Sequence, residues 1–172
     1  MGNALVTLIL VTVVMVSALG LVSSSVSAFD MLADSSKEMQ DQVSNRGRTS
    51  INCDEAHVDG ADVSVRITND GKIPLFQFEN WDVIFQYRDV NEEDRVVWLP
   101  YSESAGEVNQ WTIEGIYFGL QNESIEAGIL NPGETAVIEV TLSPAIGADT
   151  MNLATVATNT GVSAQLVFAG GN

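Results

Sequence analysis

The sequence predicts an α+β chain, a long N-terminal hydrophobic helix followed by an antiparallel β-sandwich. Three observations carry this. An uncharged apolar run from Ala4 to Val22 passes without a break into a polar stretch that keeps a helical period. Near residue 47 the period changes from helical to alternating. Beyond that point, short apolar runs are separated by Gly, Pro, Asn and Asp, the residues of tight turns.

The helix comes first. The run has about 19 residues with no charge, and the first charged side chain is Asp30. A helix needs roughly 20 apolar residues to cross a bilayer core. Past Val22 the apolar residues fall at Val26, Phe29, Leu32, Ala33, Met39 and Val43, with Asp30, Lys37, Glu38 and Asp41 between them, so one apolar stripe continues. A helix from about residue 3 to about residue 44 is on the order of 60 Å long, about twice a bilayer. Ala4, Thr7, Thr12, Ser17, Ala18 and Gly20 interrupt the bulky residues, and small residues let helices approach closely. A secretory signal would carry a basic start, a shorter apolar run and a small-residue cleavage site. Only "SSSVSA" resembles such a site, and cleavage there would leave a chain starting near residue 29.

The polar stretch "SNRGRTSINCDEAHVDG", with Gly47, reads as a connector, which gives a helical segment 1–46 and a sandwich 47–172. In "ADVSVRITNDG", Val63, Val65 and Ile67 alternate with polar residues before an Asn-Asp-Gly turn. "IPLFQF", "WDVIFQY", "RVVWLPY", "QWTIEGIYF", "TAVIEVTLSP", "MNLATVAT" and "VSAQLVFAG" read as further strands. Pro132 and Gly133 in "LNPGE" form a tight turn into the strand at 135. Seven or eight such strands predict an immunoglobulin-like sandwich, with Trp81, Trp98 and Trp111 as core or inter-sheet packing.

Charge excludes some functions. Seven basic against 23 acidic residues give a formal net charge of −16, which rules against nucleic acid as a partner. The single cysteine, Cys53, has no internal disulfide partner. The only histidine is His57, and neither a nucleophile-elbow serine nor a Gly-rich phosphate loop is present, so no enzyme and no cofactor are expected. Cys53, Asp54, His57 and Asp59 lie close in sequence but lack the paired spacing of a metal site. Asp89, Asn91, Glu92 and Asp94 in "RDVNEEDR" are weak candidates for a cation loop, since the Gly and ordered spacing of an EF-hand are missing. A solvated hairpin tip is the simpler expectation. Asn122, in "NES", is the one sequon for N-glycosylation.

The "GNALVTLILVTVVMVSALGLVSSSVSAF" helix, followed by a sandwich that contains "VRITNDGKIPL" and "LNPGETAVIEVTL", resembles the archaellin (archaeal flagellin) family over nearly the whole chain. Archaellins are filament subunits of the archaellum, within the type IV pilin superfamily. The resemblance implies a precursor trimmed by a signal peptidase, which makes the present sequence the mature form. It further implies a membrane-held stage, ATPase-driven assembly, and a homo-oligomeric helical filament used for extracellular motility. On that basis Leu5, Leu8, Val11, Met15, Ala18, Gly20, Val22, Val26 and Phe29 would pack the filament core. An adhesive pilin is the near alternative. A membrane-anchored stator-type sandwich that binds the cell-surface layer is the alternative from another class.

Overall fold

The computed structural model describes residues 2–171, with the side chains at 4, 5 and 18–28 outside the description. The chain divides into two compact units, residues 1–43 and 44–172.

Helix α1 spans Gly2–Arg48. Its hydroxyls bond back to their own backbone: Thr7, Thr12 and Ser17 donate to the carbonyls of Asn3, Leu8 and Val13, each at 2.8 Å. Such back-bonding satisfies a hydroxyl in apolar surroundings. Arg46 and Arg48 occupy the last turn, where cations complement the negative end of the helix dipole. The helix runs through Gly47, a few residues past its expected end. Of the positions assigned to filament-core packing, Leu8, Val11, Met15 and Phe29 are exposed on the isolated chain. Leu5, Ala18, Gly20, Val22 and Val26 lie outside the described side chains. Among the described residues no helix is long and apolar enough to cross a membrane. Part of the uncharged run Ala4–Val22 falls outside them.

Among the described residues of the second unit there are nine strands: β1 (Ile51–Asp59), β2 (Asp62–Asn69), β3 (Asp82–Arg88), β4 (Asp94–Leu99), β5 (Trp111–Phe118), β6 (Gln121–Asn122), β7 (Thr135–Thr141), β8 (Met151–Ala157) and β9 (Ser163–Ala169). They form two antiparallel sheets, ordered β1-β2-β7-β5-β6 and β4-β3-β8-β9. The architecture is an antiparallel two-sheet β-sandwich. Alternation explains its core. Val63, Val65 and Ile67 of β2, Trp81 with Val83, Phe85 and Tyr87 at β3, and Ile138 and Val140 of β7 are all buried. Phe85 meets Phe168 edge-on at 6.0 Å between ring centroids, and Tyr101 meets Trp111 likewise at 4.9 Å.

Three elements depart from the sequence expectation. The supposed connector contains β1, whose bulge between Cys53 and Glu55 breaks the alternation that would have betrayed a strand. "IPLFQF" makes only a single bridge, Leu75 to Leu130, before a 3-10 turn at Phe78–Asn80. Pro74 lacks the N–H that a ladder needs, and Gln77 takes a left-handed φ of 57°. Trp98, expected to pack inside, is 57 % exposed.

Candidate interaction surface

An antiparallel sheet with one buried face normally presents polar side chains on the other. The outer face of β4-β3-β8-β9 mixes polar and large apolar side chains. Register places Val96 beside Gln86, Gln86 beside Leu153, and Leu153 beside Val167. The next row runs Trp98, Ile84, Thr155, Gln165. Met151 adds a further apolar group at the end of β8. Val96, Trp98, Met151 and Val167 are exposed by 57 to 74 %, while Ile84 and Leu153 are half-buried. Single exposed apolar residues are ordinary, but neighbouring ones on one face make it a candidate interaction surface. Trp98 is held in place by its indole N–H, which donates to Asp82 Oδ1 at 2.9 Å. Strand β4 also lies at the sheet edge, where backbone groups stand open to pairing.

The opposite sheet has a different outer surface. His57, Asp59, Asp62, Glu107 and Glu139 line a cleft of about 410 Å³ there. Cys53 does not join His57 and Asp59, because it points into the core. Burial, and then the nearby Asp54 carboxylate, push its thiol pKa up to about 11. Asp54 accepts hydrogen bonds from Asn52 and Thr68. Among the described residues no group of three or more His, Cys, Asp or Glu side chains is gathered to hold a metal.

In the "RDVNEEDR" hairpin, Asp89 is buried and its carboxylate is occupied by the turn. Oδ1 accepts from the N–H groups of Asn91 (2.8 Å) and Glu93 (3.0 Å), and Oδ2 from Arg95 Nε (2.8 Å). Burial pushes this carboxyl up, but the Glu93 N–H, the Arg95 guanidinium and the Asn91 N–H outweigh it and hold the pKa below the usual value. Asn91, Glu92 and Asp94 remain exposed around it. The hairpin is therefore an Asp-centred turn closed by an ion pair. A single Asp flanked by acidic residues did not reveal that its side chain turns inward.

Asn122 lies in β6, at the edge of the five-stranded sheet, and is exposed.

Known proteins fit this architecture. The description "Conserved flagellar protein F, immunoglobulin-like domain" matches residues 47–170. The archaellum periplasmic stator protein FlaG from Sulfolobus acidocaldarius superposes with a TM-score of 0.53 at 17 % identity, over 70 % of this chain and 99 % of that one. A chain of the stator complex of FlaF and FlaG from the same organism gives 0.50 at 18 % identity, over 69 % and 87 %. Archaeal flagellin FlaB1 from Methanocaldococcus jannaschii gives 0.54 at 16 % identity, over 72 % and 90 %. No curated protein matches the chain. At these identities the solved structures show a shared fold, common to stator and filament proteins alike. Because the family match spans nearly all of the sandwich, the chain belongs to the conserved flagellar protein F, immunoglobulin-like domain family.

Proposed function

We propose that this protein is a non-enzymatic stator-type component of the archaellum, held at the membrane by the uncharged run Ala4–Val22. Its sandwich binds the cell-surface layer or a companion sandwich through the outer face of β4-β3-β8-β9. The observation that carries this reading is the set of apolar side chains Val96, Trp98, Ile84, Leu153 and Val167, spread over two adjacent rows that also hold Gln86, Thr155 and Gln165, on a sheet face that is ordinarily polar. The flagellar protein F match supports the assignment to the archaellum. The FlaF and FlaG complex among the structural relatives supports a sandwich partner.

A second reading, a filament subunit, is favoured by the FlaB1 likeness and by helix α1. Heterologous contacts between α1 helices would then build the polymer. Shearing cells and comparing the filament fraction with the washed envelope separates the two. Retention in the envelope, with none in filaments, is expected. Recovery as the main protein of sheared filaments would overturn the stator reading in favour of the subunit.

A further inference from the structure

The β5–β6 edge carries a second surface, remote in kind from the apolar sheet face. Strand β6 pairs with β5 through Tyr117↔Asn122 and Phe118↔Gln121, and closes that side of the sheet with only two residues. The chain then continues in a fixed path. The Glu123 N–H donates to the Ile116 carbonyl at 2.7 Å, and the Glu123 carboxylate accepts from the Ile125 N–H at 2.6 Å. The Glu123 carboxylate thereby caps the loop that follows and the residue is half-buried, while its neighbours Asn122 and Ser124 are both exposed. Alternate residues of an extended segment share a face. The side chain of Asn122 enters none of the hydrogen bonds that fix Asn52, Asn69, Asn109, Asn131 and Asn152.

The surroundings are unusual for a bare surface. Phe118, Leu120 and Ile125 flank the sequon and are exposed by 66, 99 and 91 %. An open sheet edge bordered by large apolar side chains is a site of edge-to-edge association, and folded proteins ordinarily cover or charge it.

The geometry points to Asn122 as an N-glycosylated residue whose glycan covers the apolar β5–β6 tip. The donor is an oligosaccharide carried on a polyisoprenyl phosphate or diphosphate lipid. The Asn122 amide nitrogen bonds to the anomeric carbon of the first sugar, and the bond from that carbon to the phosphate oxygen breaks. The lipid phosphate leaves and the amide proton passes to solvent. Ser124 supplies the hydroxyl that completes the acceptor sequence.

The test is the intact mass of the full chain purified from the envelope of its native host, as wild type, Asn122→Gln, Ser124→Ala and Ser124→Thr. One glycan increment is expected above the unmodified chain in wild type and Ser124→Thr, and none in the other two. A wild-type chain without the increment, or an increment that survives Asn122→Gln, overturns the site. The covering role is read separately by light scattering in detergent. Asn122→Gln should self-associate at least several-fold more than wild type, and adding Leu120→Ser should reverse it. Equal association of wild type and Asn122→Gln overturns that role.

Discussion

The side-chain amide of Asn69 donates to the Leu130 carbonyl at 2.8 Å, joining segments 61 residues apart. The same amide donates to the Ile73 carbonyl, its Oδ1 accepts from the Gly71 N–H, and its backbone carbonyl accepts from the Gly133 N–H. Asn69 is fully buried, so every one of these bonds replaces water. Replacing Asn69 by Ala takes the side-chain partner from the Gly71 N–H and the Ile73 carbonyl and should cost about 2–3 kcal/mol. Asn69→Asp, which loses the donors, should cost at least as much near neutral pH. Urea unfolding measures both, and a change below about 0.5 kcal/mol would contradict the hub.

Gly71 stands where a side chain has no room. An added Cβ would lie 2.7 Å from both the Arg48 carbonyl oxygen and the Ser50 nitrogen. Gly71→Ala should therefore destabilise by about 1–3 kcal/mol through backbone displacement. Gly60 has open space but a φ of +62°, so Gly60→Ala should cost about 1 kcal/mol from conformation alone. Gly60→Asn should recover part of that loss, because Asn tolerates this region. Thermal melts of the three variants distinguish steric from conformational cost.

Acid should loosen the Asp89 hairpin. Its carboxyl pKa is lowered in the folded state. The resulting stabilisation is present above the ordinary Asp value of about 3.9 and is lost as pH falls below it, through the folded value. Asp89→Asn should flatten that acid limb, and Arg95→Met should shift its midpoint toward the ordinary value. Melting temperatures between pH 2 and 6 provide the comparison, and identical profiles for wild type and Asp89→Asn would refute the assignment.

Cys53 should resist thiol reagents in the native protein. Its pKa is raised to about 11, so its stabilising contribution is complete below the unfolded value near 9 and is lost as pH rises through 11. Labelling with a chromogenic disulfide at pH 8 should be at least ~100-fold slower than in urea, because the thiol is both buried and protonated. Fast native labelling would mean that β1 opens readily.

The apolar sheet face can be tested without harming the fold. Trp98→Lys combined with Val96→Lys changes exposed side chains and should alter stability by no more than about 1 kcal/mol. In the sandwich unit alone (residues 44–172), which lacks the membrane-held run, the same pair should abolish binding to isolated cell envelopes, scored by sedimentation. Unchanged binding would place the contact elsewhere.

Much of the fold was legible because burial imposes alternation, as at Trp81 to Tyr87 and at Val63 to Ile67. Strand β1 was hidden for two reasons. It lies at a sheet edge, so half of it needs no apolar residue, and the bulge at Asp54 shifts its phase. "IPLFQF" misled in the opposite sense, being apolar enough for a strand but lacking the N–H at Pro74. The interaction face was visible as residues and invisible as a face. Val96 and Trp98 alternate with Val97 and Leu99, and composition alone does not say which set turns inward. Leu99, fully buried, decides it only once the structure is known. Family identity was likewise only partly readable, since the stator and filament proteins among the solved structures share one fold.

The junction at Arg48 has a mechanical consequence. The Lys72 N–H donates to the Arg48 carbonyl at 2.8 Å, Gly71 sits against the same oxygen, and Asn69 ties that turn to residues 130–134 ahead of β7. Tension arriving at Arg48 is thus divided among β1, β2 and the loop entering β7, instead of peeling the edge strand away alone. Force at this point meets the Arg48–Lys72 hydrogen bond before it reaches the first β1–β2 pair, Ile51 with Asn69.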